Sequence, residues 1–340
     1  MATPSRPAPG SGHPRRLVAI GASAGGVRAL RTLVSRLPSG FDSTLLVVLH
    51  TGAHRSLLPG LLSSQGALPA SFAADEQPIA AGRIYVAPPD MHLHVEGDRL
   101  RVSHGPKENF ARPAVDPLFR SVAIARGPAA VGVVLTGHLD DGTAGLQAIK
   151  RHGGIAIVQD PLEAEAPGMP RSAMRYVDVD HCLPIEAIAD TLVAIAATPP
   201  AAAPRPDRVA DTEHSVWLAR GDPMKQLDSL GEPSRLVCPE CGGSLWRLAG
   251  SRPSRYRCHT GHAYSLGSLR HAQAHEADRA IWTAIRALQE KQRILEEMAD
   301  GSEPDAERGA DELHAEARQL REHVAMLRML AERTPADPID

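Results

Sequence analysis

Leu17-Val18-Ala19-Ile20-Gly21-Ala22-Ser23-Ala24-Gly25-Gly26-Val27 reads as a short apolar run, a turn of small residues and the start of a helical stretch. A strand that feeds a helix through such a turn is the repeating unit of a parallel sheet. The same unit recurs outward from it. Apolar, β-branched runs at 17–20, 44–49, 83–87, 131–135 and 155–158 alternate with helical patterns over 25–37, 115–126, 142–152 and 185–197. This alternation predicts an α/β fold over residues 15–197, a doubly wound and mostly parallel sheet with helices on both faces. One interruption is expected: residues 94–96 and 99–103 flank Gly97-Asp98 and read as a β-hairpin.

Within the opening turn, Ser23 is the residue that carries chemistry. A parallel sheet presents its strand ends as the ligand edge, so the hydroxyl stands where substrates bind. The helix start behind it offers unpaired N–H groups and a positive dipole end to a developing oxyanion. The spacing is neither the G-x-S-x-G elbow nor the G-x-G-x-x-G dinucleotide loop, and alone the serine reads more readily as a helix cap in a tight turn. A second strand ends in His50, which by itself is an ordinary strand-boundary histidine. A third ends in Gly137-His138-Leu139-Asp140-Asp141-Gly142, whose carboxylates could cap the next helix. Together, three strand ends carrying Ser, His and Asp at one sheet edge make a nucleophile, a base and an orienting acid.

Six ordered segments share a pattern: Ala22-Ser23-Ala24-Gly25-Gly26, 47–50, Ile84-Tyr85-Val86-Ala87-Pro88, Arg112-Pro113-Ala114-Val115-Asp116, Leu135-Thr136-Gly137 to Asp141-Gly142, and Gly168-Met169-Pro170-Arg171. Over about residues 15–197 they resemble the bacterial CheB-type protein-glutamate methylesterase domain. The resemblance implies hydrolysis of glutamate γ-methyl esters on chemoreceptor-like proteins, with deamidation of glutamines as a possible companion activity. It implies Ser23 as nucleophile, His50 as base, and Asp141 rather than Asp140 as the acid. It also implies Ala24, Gly25, His138 and Arg112 as oxyanion or substrate contacts, and no cofactor for catalysis. This sequence departs from the family pattern at His138 and Leu139, where Met and Gly are usual, and at Thr51-Gly52 after His50. Most members carry an N-terminal receiver domain; only about 15 residues precede the first strand here, so none is expected and regulation falls to another protein or to the C-terminal extension.

Residues 1–14 read as a disordered leader, and 198–232, Pro- and Ala-rich at its start, as a linker. Over 233–266, Cys238-Pro239-Glu240-Cys241-Gly242-Gly243 is followed by Cys258-His259-Thr260-Gly261-His262. This spacing predicts a zinc-ribbon-like module with a structural Zn²⁺ on Cys238, Cys241, Cys258 and His262. His262 is preferred to His259 because adjacent Cys-His ligation is strained. Cys182, the remaining cysteine, is expected to be a buried thiol. Residues 267–333 show apolar positions at spacings of three and four (Ile281, Ile285, Leu288, Leu295; Leu313, Ala317, Leu320, Val324, Leu327, Ala331) on either side of a Gly301 to Pro304 break. That predicts a helical hairpin or coiled coil, closing on itself or joining a second copy or a partner.

The 340 residues have a formal net charge of −3 and 43% hydrophobic but only 3% aromatic content, so the core must be built of Ala, Val, Leu and Ile. The charge balance gives no reason to expect nucleic acid as partner. No run approaches the roughly 20 apolar residues of a membrane span, and no signal peptide is legible, which predicts a cytoplasmic protein with no membrane insertion. The competing reading is a signalling adaptor that uses the hydrolase fold and the zinc and helical tail as binding surfaces.

Overall fold

The structure, a computed structural model, describes residues 15–202, 207–301 and 309–333. The expected leader lies outside the described residues, as does Pro304 of the expected break.

Seven strands form one sheet: β1 (Leu17–Ala22), β2 (Thr44–Leu49), β3 (Ala70–Phe72), β4 (Ile84–Val86), β7 (Ala130–Val134), β8 (Ile155–Gln159) and β9 (His181–Leu183). Their order is β3-β4-β2-β1-β7-β8-β9, and every pairing is parallel. The hairpin β5 (His92–Glu96) and β6 (Arg99–Ser103) stands apart, as its Gly-Asp turn predicts. Helices α1 (Gly26–Ser35), α2 (Leu58–Gln65), α3 (Val115–Arg126), α4 (Thr143–Arg151), α5 (Gly168–Tyr176) and α6 (Ile185–Ala197) complete the α/β unit.

Pleating sends alternate residues of each strand to opposite faces, and in a parallel sheet both faces must be covered. In β1, Leu17 and Ala19 therefore join Phe119, Val122, Leu146 and Ile149 of α3 and α4 in one core layer. Val18 and Ile20 join Leu30, Leu33 and Leu192 of α1 and α6 in the other. The chain leaves β1 on one side toward β2 and later adds β7 on the other side. That reversal opens a crevice at the carboxyl end of β1, the usual ligand position in such sheets. β9 is a short edge strand, which leaves Cys182 exposed and corrects the expectation of a buried thiol.

Residues 198–232 are more than a linker. They contain α7 (Arg208–Trp217) and α8 (Pro223–Leu230). Each helix opens on an aspartate whose carboxylate accepts backbone N–H groups, Asp207 from Val209 and Asp222 from Met224 and Lys225. α7 then places Glu213 against the next module, an antiparallel sheet of β10 (Gly231–Val237), β11 (Ser244–Leu248), β12 (Arg255–Cys258) and β13 (Ala263–Ser265). There a buried ion cluster forms. Glu213 pairs with Arg255 and Arg257, and Arg257 also meets Glu108, which Arg120 of α3 holds at 2.6 Å. Burial would push both carboxyls up, but the three guanidinium groups outweigh it and hold Glu213 well below its ordinary range and Glu108 at about 2. Burying the small sheet thus ties it to α3 and α7 by ions that have no water to fall back on.

This first compact unit runs to Ser268, and a second begins at Leu269. α9 (Leu266–Ala299) and α10 (Ala310–Arg333) supply the second unit, where Leu295, Leu313, Ala317 and Leu320 pack together with Leu288 and Met298 beside them. The predicted three-and-four spacing is the buried stripe. Among the described residues, no helix is long and apolar enough to cross a membrane.

Candidate active site

The three strand ends named by the sequence meet. Ser23 follows β1, and its N–H donates to the carbonyl of Thr136 beyond β7 at 2.9 Å, while the N–H of His50 beyond β2 donates to Ala22 at 3.1 Å. Gly26 closes the turn with an N–H to the Ser23 carbonyl at 2.8 Å. Gly25 stands at φ 75°, the left-handed region, with Glu165 so close that a Cβ would meet it. At Gly137 a Cβ would run into Ser23 and Met169. Small residues here are what bring the strand ends within reach of one another. The N–H groups of Ala24 and Gly25 precede α1, at the end where helical donors lack intrahelical acceptors.

His50 Nε2 lies 2.8 Å from Asp141 Oδ2, with the ring one-fifth exposed and the carboxylate buried. Asp141 receives four further donors. Val115 N–H reaches Oδ2 at 2.6 Å; Asp116 N–H, Gly142 N–H and Asn109 Nδ2 reach Oδ1 at 3.1, 3.0 and 3.0 Å. Val115 and Asp116 open α3, whose own capping position, Ala114, has no side chain to offer. Asp141 is therefore the anion at the N-terminus of a helix from another part of the chain. Burial would push its carboxyl up, yet His50 and these N–H donors hold it below the ordinary aspartate value. His50 pairs with Asp141 and not with Asp140, whose pKa is raised by burial, reinforced by the nearby Asp141 charge.

An open cleft of about 490 Å³ is lined by Ser23, Gly25, Arg28, Leu49, His50 and Glu165 among others. Of the expected contacts only Gly25 lines it; Ala24, His138 and Arg112 do not. Arg112 spends its guanidinium on Asp90 at 2.9 Å and on the Gly105 carbonyl at 3.1 Å, and His138 Nδ1 is buried without a protein partner. The expectation that these two contact substrate thus finds no support in their placement.

Two residues near Asp141 went unnoticed in the sequence as site residues. Asn109 carries no motif of its own. Asp116, within the Arg112 to Asp116 segment, is fully buried, accepting from Gly145 N–H at 2.6 Å and Asn109 Nδ2 at 2.8 Å. Burial, then the charge of Asp141, raises its pKa from 3.8 to about 8. A carboxyl that stays protonated in the folded chain but ionises in the unfolded one binds more protons when folded, so stability falls as pH rises. Its contribution is complete below about pH 4 and gone near pH 8. Asp116→Asn is expected to flatten this decline; urea midpoints from pH 5 to 8 that fall in parallel for both proteins would refute it.

Cys238, Cys241, Cys258 and His262 bring their donor atoms within 4.8 Å of one another. Tetrahedral zinc with Zn–S bonds of about 2.3 Å requires ligand separations of about 3.8 Å. Cys241 Sγ to Cys258 Sγ is 3.7 Å, and Cys258 Sγ to His262 Nδ1 is 3.6 Å. Gly242 at φ 70° and Gly261 at φ 100° allow the two tight turns, each closed by an N–H returning to the first cysteine's carbonyl. The His259 ring instead lies against Gly243.

A parallel, doubly wound sheet that gathers Ser23, His50 and Asp141 at adjacent strand ends is the architecture of a serine-type hydrolase. Residues 18–192 match the CheB methylesterase family model, and the chain belongs to that family. A relative from Xanthomonas campestris, named protein-glutamate methylesterase/protein-glutamine glutaminase, is 36% identical over 201 residues, which is 57% of this chain and 56% of that protein. One from Leptospira interrogans, named for the same two activities, is 38% identical over 182 residues, 52% of this chain and 92% of that one. The crystal structure of the Thermotoga maritima CheB methylesterase catalytic domain aligns with a TM-score of 0.51 at 31% identity, covering 53% of this chain and 98% of that domain. The chain thus spans about half the length of the Xanthomonas relative, and the matches leave its own residues beyond the hydrolase domain unaccounted for.

Proposed function

We propose that this protein hydrolyses glutamate γ-methyl esters, and the equivalent glutamine side-chain amides, on chemoreceptor-like signalling proteins. The observation that carries the reading is the His50–Asp141 contact at the wall of a cleft that Ser23 also lines. Nε2–H of His50 is given to the carboxylate, so Nδ1 bears the free lone pair and acts as base. Ser23 Oγ attacks the ester carbonyl as its proton passes to His50, and the N–H groups of Ala24 and Gly25 receive the oxyanion. His50 then protonates the departing methanol, or ammonia from an amide. Water, deprotonated by the same ring, releases the glutamate. Asp141 stays ionised throughout and stabilises the imidazolium.

Cys238, Cys241, Cys258 and His262 would hold a structural zinc ion, for which the donor set and spacing are suited. Three cysteines free of disulfides suit a reducing, cytoplasmic setting. The packed stripe closes α9 on α10, and exposed apolar residues outside it, such as Ile294 and Met326, would offer a surface for a second copy or a partner helix.

The test uses the full chain with receptor membranes carrying methyl-labelled glutamates. Release of labelled methanol is expected, with ammonia from the unmethylated, glutamine-bearing form. Release of neither, with the protein folded and metal-replete, would remove the substrate assignment.

A further inference from the structure

We propose that Asn109 is a positioning residue of the active site and that the Cys/His module sets it in place, making that module a working part of the hydrolase; this rests on the Ser23-His50-Asp141 reading above. Residues 107–109 run beside β13, with an isolated parallel bridge between Glu108 and Ala263. Ala263 N–H donates to the Lys107 carbonyl at 3.3 Å, and Asn109 N–H donates to the Ala263 carbonyl at 2.8 Å. Every side chain of the segment is also held. Lys107 Nζ reaches Glu240, within the Cys238–Cys241 turn, at 2.9 Å. Glu108 is the buried partner of Arg257 on β12.

Asn109 completes the connection. Ser265 N–H and Ser268 Oγ lie 3.2 and 3.0 Å from its Oδ1. A backbone N–H can only donate, so the Asn109 carbonyl oxygen must face the module and its NH₂ must face the other way. There the two hydrogens are divided between Asp116 Oδ2 at 2.8 Å and Asp141 Oδ1 at 3.0 Å. One amide thus spans the module and the carboxylate that orients His50. Asn109 and Phe110 both take positive φ, 51° and 63°, a conformation that asparagine adopts more readily than most residues.

The consequence is mechanical. Asp141 keeps its plane because opposite oxygens are pinned, Oδ2 by His50 and Val115, Oδ1 by Asn109, Asp116 and Gly142. Removing the Asn109 donor takes the one side-chain N–H from Oδ1, leaving the Asp116 and Gly142 N–H groups there, and leaves more negative charge on the carboxylate. Removing Ser268 leaves Asn109 in place but less firmly oriented.

The experiment reads the nucleophile directly, through labelling of Ser23 in the full-length, metal-replete chain by a fluorophosphonate probe across pH. Asn109→Ala is expected to slow labelling about tenfold, the scale of one charge-assisted hydrogen bond, and to shift the acid limb of the pH profile. Ser268→Ala should slow it about threefold with the same shift. The double variant should be no slower than Asn109→Ala, because both act through one amide. Rates within twofold of wild type, an unmoved acid limb, or additive losses in the double variant would each overturn the proposal. If Asn109→Ala does not fold, Ser268→Ala alone decides by the same criteria. Absence of labelling in the wild type would overturn the serine reading itself, a result distinct from labelling that the variants leave unchanged.

Discussion

Ser23→Ala is expected to lower the rate of ester hydrolysis by roughly six orders of magnitude, the scale seen when the nucleophile of a serine triad is removed. At 1.36 kcal/mol per tenfold, that is about 8 kcal/mol of transition-state stabilisation. Two of the nearby polar groups are already engaged. His50 is bonded to Asp141, and Thr136, the neighbouring hydroxyl, is spent on the Ala24 carbonyl at 2.8 Å. Fold and binding should be untouched, since the serine side chain makes no structural hydrogen bond that the turn depends on: the turn is closed by backbone groups of Ser23, Gly26 and Thr136. Methanol release and substrate binding by the variant, compared with wild type, are the measurements. A loss below a hundredfold would mean that some other residue is the nucleophile.

The hydrolase half was legible because its signals are local. Alternating apolar runs at 17–20, 44–49 and 131–135 specify buried parallel strands whatever surrounds them, and each strand end fixes where the next residue stands. Ser23, His50 and Asp141 could therefore be placed at one edge from the chain alone. The preference for Asp141 over Asp140 needed the family resemblance, and the structure supplies its physical reason: only Asp141 reaches both the uncapped start of α3 and the His50 ring. Arg112 belongs to a segment that carries the resemblance, but the segment alone does not say what its guanidinium touches; here it braces Asp90 and a loop carbonyl.

What was illegible depends on distant contacts. Residues 198–232 read as linker because Pro and Ala dominate their start; the aspartate caps that begin α7 and α8 are seen only in the structure. Glu213 is meaningless in the sequence until Arg255 and Arg257 meet it across more than forty positions. Asn109 is an exposed-looking polar residue in a loop until β13 arrives beside it. In the same way Cys182 looks like a core thiol after an apolar run, but β9 lies at the sheet edge with one side uncovered.

The largest stability effect should come from the Cys/His turns. Cys258→Ala is expected to reduce bound zinc from one ion per chain to none and to unfold β10–β13. The apparent free energy of structural zinc sites of this kind is about 10–16 kcal/mol, which exceeds what the small sheet gains from its own core. That core is thin: Trp246 and Leu248 with Val216, Leu227 and Leu230 from α7 and α8. Loss of the module would not stop at the module. Arg255 and Arg257 would leave Glu108 and Glu213, and breaking a buried ion pair from one side costs about 3–5 kcal/mol. Thermal unfolding of the variant should therefore begin lower and affect α3 and α7 together, with hydrogen exchange rising at Glu108, Asn109 and Glu213 as well as at the cysteines. Chelation of the wild type should reproduce that pattern without any substitution. Exchange confined to residues 231–265, with the α3 start as protected as before, would mean that the hydrolase holds its shape without the module; an unchanged zinc stoichiometry would mean that Cys258 is not a ligand.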